Sequence, residues 1–401
     1  MIDIVFYFQV HQPYRLHKWK PSDRIKGLDC FDEPLNRLVA ERVAKRCYLP
    51  MNKVLLDAIE STDGQFRCAF SLSGTVIEQL RDWVPDALDS FVQLAETGNV
   101  EFLCETSQHS LAAVTDLDEF ADQVTQQRAT VTDLFGAPTS FRDTELILDN
   151  KICKKVEELG FECMLGEGAD RLLGWRSPQV PYRPKGCSQL KLLLRSYSLS
   201  DDIAFRFSNR KWPSFPLFSD TYAGWLHEVP PPAQFVGLFM DYETFGEHQG
   251  EHTGILEFMQ HLPEQVLSKP GFRFRTPAQV AAERGVAGEL DIQTPVSWAD
   301  VERNLSAWLG NPMQRAAHEA IYALRKAVLG LAADRPDLLA AWRRFTTSDH
   351  IYYVATKHHS DAEVHDYFSP YDSPHAAFVS LMTAFDHLRA QVVEALEKSK
   401  K

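Results

Sequence analysis

The sequence predicts a parallel β/α barrel with a helical C-terminal part packed on it. Three observations carry that expectation. Short β-rich runs alternate with helical segments from Ile2 to about residue 280. Strand signals fade after about residue 300, where long helical patterns take over. Four of the candidate strands end in polar, reactive clusters, as the strands of a parallel barrel do where their loops converge on one mouth.

Taken in order, the strands are expected at Ile2 to Val10, Gln65 to Phe70, Asn99 to Leu103, Thr139 to Thr144, Glu162 to Leu165, a pair around Leu190 to Phe207, Phe235 to Met240 and Arg273 to Thr276. Helical spacing is clear in Met51 to Glu60, Ala87 to Glu96, Leu117 to Phe135 and Asp149 to Leu159. The stretch Leu172 to Lys191, rich in Pro, Gly, Arg and aromatics, reads as a long excursion, and such excursions often wall active sites. The C-terminal helical patterns cover Val301 to Leu309, Pro312 to Ala333, Pro336 to Phe345 and Pro374 to Lys398. We therefore expect a catalytic barrel over residues 1–290 and a helical domain over 291–401 that completes the cleft. No internal repeat or low-complexity tract interrupts this pattern.

A chain of 401 residues with 44% hydrophobic content supports a substantial core. Its net charge of -13 disfavours nucleic acid or an anionic membrane as partner and leaves a neutral polar partner such as a sugar open. The seven cysteines include no C-x-x-C pair, which reads as free thiols in a reducing compartment. Neither a leader-like N-terminus nor a run near the ~20 apolar residues of a membrane span is present, so a cytoplasmic location is expected.

The chemistry concentrates where strands end. The first ends in Gln9-Val10-His11-Gln12-Pro13; "GNVEFL" leads through Glu101 to Glu105 and His109; "TSFRDTEL" supplies Arg142, Asp143 and Glu145; "FVGLFMDYETFGEH" supplies Asp241 and Glu243. Each cluster has a plainer explanation. His11 could be a structural histidine, Glu101 could face the wet side of a strand, and Asp143 or Asp241 could cap a helix. Four such clusters on one barrel favour a shared polar pocket over coincidence. A pocket of carboxylates with His and aromatics, and no Gly-rich phosphate loop, suits glycoside chemistry, in which one carboxylate attacks the anomeric carbon and another protonates the leaving oxygen. Sugar rings also need flat apolar platforms. Trp175, Trp212, Trp225, Trp298 and Trp308, with Tyr182, Tyr222 and Tyr242, are the candidates.

With these residues in hand, the chain resembles glycoside hydrolase family 57, α-amylase-like retaining enzymes. Five short regions carry the resemblance, in order: "HQP" at His11 to Pro13, "GNVEFL" at Gly98 to Leu103, "FRDTEL" at Phe141 to Leu146, "MDYETFGEH" at Met240 to His248 and "SWADVERNLSAWLGN" at Ser297 to Asn311. The resemblance implies an incomplete (β/α)7 barrel followed by a helical domain. It implies Glu145 as nucleophile and Asp241 as acid/base, and substrate-binding roles for His11, Glu101, Glu243, Trp298 and Asp300. Gln12 and His109 from the strand-end clusters and Trp175 from the excursion join the substrate-binding candidates. "TTSDHIYYV" at Thr346 to Val354 and "YFSPYDSP" at Tyr367 to Pro374 fit the α-amylase-labelled branch and add Asp349 and His350.

The expected activity is retaining hydrolysis of α-1,4-glucans or maltooligosaccharides by double displacement, with no cofactor and no metal. A 4-α-glucanotransferase or branching activity on the same site is the alternative within the family. Two rivals belong to other classes: a metal-dependent deacetylase-like hydrolase, to which His248 and His252 at i, i+4 could contribute, and a non-catalytic sugar-binding protein. Oligomeric state is not legible in the chain.

Overall fold

The computed structural model describes residues 1–357 and 369–399. Tyr367 and Phe368 of "YFSPYDSP" lie outside the described residues.

Seven parallel strands form the barrel: β1 Ile2–Val10, β2 Cys68–Leu72, β3 Val100–Phe102, β4 Ser140–Arg142, β5 Cys163–Glu167, β6 Lys191–Arg195 and β7 Phe235–Asp241. A short eighth strand, β8 Phe272–Phe274, pairs with the start of β1. The order is β3-β2-β1-β7-β6-β5-β4. A parallel bridge between Cys104 and Phe141 joins the end of β3 to β4, so the sheet curls into a nearly closed ring. A second weak seam lies between β6 and β7, which share the single register pair Arg195–Gly237.

Alternation along the strands sets the layers. In β1, Ile4, Phe6, Phe8 and Val10 pack outward against helices, while Val5 and Tyr7 fill the barrel with Ala69, Leu103, Leu165, Leu193 and Phe239. The floor is closed by the helix Pro277–Glu283, whose Val280 and Ala281 join that interior cluster. One step further up each strand the same inward period brings Gln9, Ser71, Glu105, Arg142, Glu167, Arg195 and Asp241. The interior thus changes from apolar to charged at the C-terminal ends of the strands, where a barrel of this class places its chemistry.

The expected barrel with a helical C-terminal region is the architecture found. Some elements differ. The expected strand pair around Leu190 to Phe207 is one strand, β6, followed by the helix Tyr197–Ala204, because Leu199 and Ile203 recur at i, i+4 rather than alternating. The helix expected over Val301 to Leu309 shrinks to Ser306–Leu309, since Asp300 and Arg303 adopt left-handed backbone conformations with φ 55° and 46°. Pro312 to Ala333 divides into the helices Pro312–Ala323 and Arg325–Gly330. The excursion from Leu172 does not wall the site: Gln179 accepts from the backbone of Phe235 at the foot of β7, and Tyr182 bridges to Leu192 at the foot of β6. It covers the β6–β7 seam from outside.

The helical region docks near the mouth. Its long helix Pro374–Ser399 buries Leu381, Phe385 and Leu388 in one cluster with Trp308, Trp342 and Phe345. The amide of Ser348 donates to the carbonyl of His109, and Ser110 bridges to Thr347, which fixes the helix Ser348–Tyr352 against the loop after β3. Among the described residues no helix is long and apolar enough to cross a membrane. All seven cysteines are buried free thiols.

Candidate active site

Glu145 follows β4 in a short 3-10 turn, Thr144–Leu146, and is held at φ 56°, ψ 29°. His109 (φ 51°), Leu146 (φ 51°) and Asp300 (φ 55°) share this left-handed region, which costs a side-chain-bearing residue free energy and is retained where surrounding contacts enforce it. For Glu145 two such contacts come from one residue. Trp298 donates from its backbone nitrogen to the Glu145 carbonyl at 3.1 Å and from Nε1 to Oε2 at 2.6 Å.

The other Glu145 oxygen meets a charge relay. His109 lies between Glu105 and Glu145, with Nδ1 2.8 Å from Glu105 Oε2 and Nε2 3.3 Å from Glu145 Oε1. Burial opposes a positive charge there, but the two carboxylates outweigh it and raise the His109 pKa to about 9. Glu105 in turn sits below the ordinary carboxylate range: burial pushes it up, and His109, Arg142 and Gln9 pull it further down. Gln9 donates to Glu105 at 2.9 Å and is itself oriented by Tyr7 and Ser71. An imidazolium therefore faces Glu145 and favours its ionised form.

His11 stacks on His109 at 4.0 Å between ring centroids. Burial, followed by the charge on His109, lowers the His11 pKa and keeps the ring neutral, so Nε2 donates to Asp349 at 2.9 Å and Nδ1 accepts from Ser73 Oγ at 2.7 Å. Asp349 reaches the barrel from the helix Ser348–Tyr352.

Asp241 ends β7 opposite Gln9 of β1. Neither Asp143 nor Asp241 caps the turn that follows it with its side chain, so the capping explanation does not account for them. Glu243, on the turn after Asp241, accepts from Tyr48 Oη at 2.5 Å and Gln12 Nε2 at 3.5 Å. Burial, then the neighbouring Asp241, raises its pKa to about 8. Glu243 is thus a neutral acid at neutral pH.

Two cavities meet at the carboxylates, and Glu145, Asp241 and His248 line both. The first, of about 510 Å³, is walled by polar side chains: Gln9, His11, Gln12, Arg15, His109, Glu243 and Asp349. The second, of about 630 Å³, is walled by Phe205, Met240, Trp298, Tyr352, Arg195 and Asp300. The Arg142 and Arg195 guanidinium carbons lie 5.0 and 5.6 Å from the Trp298 ring centroid. Arg195 is steered by Glu167, whose own pKa rises to about 7 because burial outweighs Arg195 and Arg303.

The fold therefore brings together Glu145, Asp241, His11, Gln12, His109, Glu243, Trp298, Asp300 and Asp349. Three expected residues are elsewhere. Glu101 points into the floor of the barrel and accepts from the amide of Ala278 at 2.9 Å, because it lies two inward steps below Glu105 on the same strand line. Trp175 is 90% exposed on the outer excursion and lines neither cavity. His350 is buried between Phe31 and Phe345, and burial lowers its pKa to about 4, which makes it a neutral packing residue. His248 lines the cavities while His252 is exposed, so the i, i+4 pair does not converge on the site. Arg15, Arg195, Phe205 and Met240 were not among the sequence candidates. The signal for Arg195 was the inward period of its strand.

The model of "Glycosyl hydrolase family 57" matches residues 5–293. A Methanocaldococcus jannaschii protein named "Putative alpha-amylase" is 38% identical over 408 residues, covering 99% of this chain and 86% of that one. Among solved structures, a branching enzyme from Thermococcus kodakaraensis superposes with a TM-score of 0.68 at 14% identity, over 99% of this chain and 93% of that one. The 4-alpha-glucanotransferase of Thermococcus litoralis superposes with a TM-score of 0.60 at 15% identity, over 91% of this chain; the chain spans 54% of that enzyme's length. At such identities the structures show a shared fold. The family match and the sequence relative show more: this chain belongs to glycosyl hydrolase family 57.

Proposed function

We propose that the protein cleaves α-1,4-glucans with retention of anomeric configuration, using Glu145 as nucleophile and Asp241 as acid/base. The observation that carries this reading is that both carboxylates line the junction of a polar cavity and an aromatic one, with Glu145 bonded to His109 and Trp298. The polar cavity suits the glycosyl unit that is attacked, since His11, Gln12, Glu243 and Asp349 offer donors and acceptors for its hydroxyls. The aromatic cavity suits the leaving sugar.

In the first step Glu145 forms a bond to the anomeric carbon while the C–O bond to the leaving sugar breaks and Asp241 gives that oxygen its proton. In the second, Asp241 takes a proton from water, whose oxygen bonds to the anomeric carbon and releases Glu145. Transfer to another sugar is the second reading, favoured by the same aromatic wall of Phe205, Met240 and Trp298, which would hold an acceptor as readily as a leaving group. Residues from about 291 onward complete the cleft in this reading, through Trp298, Asp300 and Asp349. The seven free thiols fit a cytoplasmic location.

Digestion of maltoheptaose, followed by NMR at early times, tests the proposal. First products with α-anomeric ends are expected, and β-anomeric products would overturn retention. Glu145→Gln should remove turnover without loss of fold; an active variant would remove Glu145 from the role. Longer products than the substrate would mark transfer.

A further inference from the structure

We propose a second carbohydrate-binding site beside the cleft, in the cavity between the loop Phe207–Ser219 and the helix Ile255–Leu267, for an outlying arm of the same α-glucan. The inference rests on the substrate class proposed above. The only exposed phenylalanines among the described residues are Phe205, Phe215 and Phe218, all within one short stretch of chain, although the sequence holds 25 phenylalanines. Such clustering of large apolar side chains in water marks a binding surface.

The cavity is open to solvent and spans about 610 Å³ with that solvent-filled space included. Phe215 and Phe218 wall one side. Glu257 and His261 wall the other, one helical turn apart, both exposed and without a hydrogen-bond or ion-pair partner among the described residues. Flat apolar faces opposite unspent polar groups are what a sugar ring requires. The loop is already ordered: Trp212 packs edge-on against Trp225 at 6.0 Å, and Phe207 against Phe258 at 5.2 Å, so binding costs little rearrangement. The cavity is also continuous with the cleft along the chain. Phe205 lines the catalytic cavity and Phe207 this one; His248 lines the former and Thr253 the latter. The same two stretches of chain therefore serve both cavities.

The test is the Phe215→Ala/Phe218→Ala double variant, whose exposed rings can be removed without opening the core. KM for amylose should rise about tenfold or more, with kcat and all kinetics on maltotriose within about twofold of wild type. In the Glu145→Gln background, calorimetry with maltoheptaose should show weakened binding on adding the double substitution. Unchanged amylose kinetics, or equal losses on both substrates, would overturn the site. A wild-type dimer abolished by the double variant would assign the face to a second copy of the chain instead. A wild type inactive on every α-glucan would sink the proposed function alone if maltoheptaose still bound in a Phe215- and Phe218-dependent way, and both proposals if it did not.

Discussion

Trp298 holds Glu145 at two points, its indole nitrogen 2.6 Å from Oε2 and its backbone nitrogen 3.1 Å from the Glu145 carbonyl. The indole contact fixes the side chain that must attack, and the backbone contact fixes a main chain in the left-handed region. Trp298→Phe keeps the backbone contact and the ring but removes the indole donor. A hydrogen bond to a charged group contributes about 1.5–3 kcal/mol, so kcat should fall roughly 10- to 100-fold. Thermal unfolding should stay within a few degrees of wild type. A variant with unchanged kcat would show that the contact does not position the nucleophile.

Glu101 separates resemblance from geometry. The family resemblance of "GNVEFL" put it among the substrate-binding residues, yet its carboxylate sits on the barrel floor and accepts from the amide of Ala278 at the start of the helix Pro277–Glu283. Glu101→Ala should lower stability by roughly 0.5–2 kcal/mol, the cost of removing a side-chain acceptor from a half-buried amide at a helix start, with KM unchanged in the folded enzyme. Glu101→Gln, which still accepts from Ala278, should recover most of that stability. Urea unfolding beside Michaelis kinetics checks both; a rise in KM at full stability would return Glu101 to the substrate.

The contrast between Glu101 and Glu105 shows what was legible in the sequence and what was not. Alternation along a strand is readable, and so were the barrel and the strand-end clusters. How far up the barrel a given inward residue lies depends on strand register, which no local pattern records. Glu101 and Glu105 share an inward line, and the pairing of Cys104 with Phe141 decides that the latter reaches the mouth. Glu145, Asp241, Trp298 and Asp300 were found because short motifs carry them. Arg195 and Glu167 went unnoticed because their strands carry no motif, although period two places both at the mouth. His350 failed for another reason: its neighbour Asp349 points at His11, and on a helix adjacent residues face different sides.

Glu243 should act as a neutral acid. Its pKa of about 8, raised by burial and then by Asp241, means that the carboxyl keeps its proton below pH 8. Glu243→Gln is therefore a near mimic at pH 6, accepting from Tyr48 and donating to a sugar hydroxyl as the acid does. It should retain activity within about tenfold of wild type, whereas Glu243→Ala, which leaves Tyr48 without an acceptor, should lose considerably more. The pH profile of kcat/KM should lose its limb near 8 in Glu243→Gln. Equal inactivity of both variants at pH 6 would mean that Glu243 works as a carboxylate.

His109 couples stability to pH in the alkaline range. Its pKa is about 9 in the fold against 6.5 for an ordinary histidine, because Glu105 and Glu145 together outweigh burial. A group that binds its proton more tightly when folded stabilises the fold fully below its unfolded pKa, and that stabilisation disappears as pH rises towards the folded one. Stability in urea should thus decline between pH 6.5 and 9, and His109→Gln should lack this part of the decline. Replacing the imidazolium also leaves Glu145 facing a neutral amide, so its carboxyl should hold a proton to higher pH and the acid limb of kcat/KM should move upward. A variant with the wild-type decline in stability and an unmoved acid limb would show that His109 carries no charge between the two glutamates.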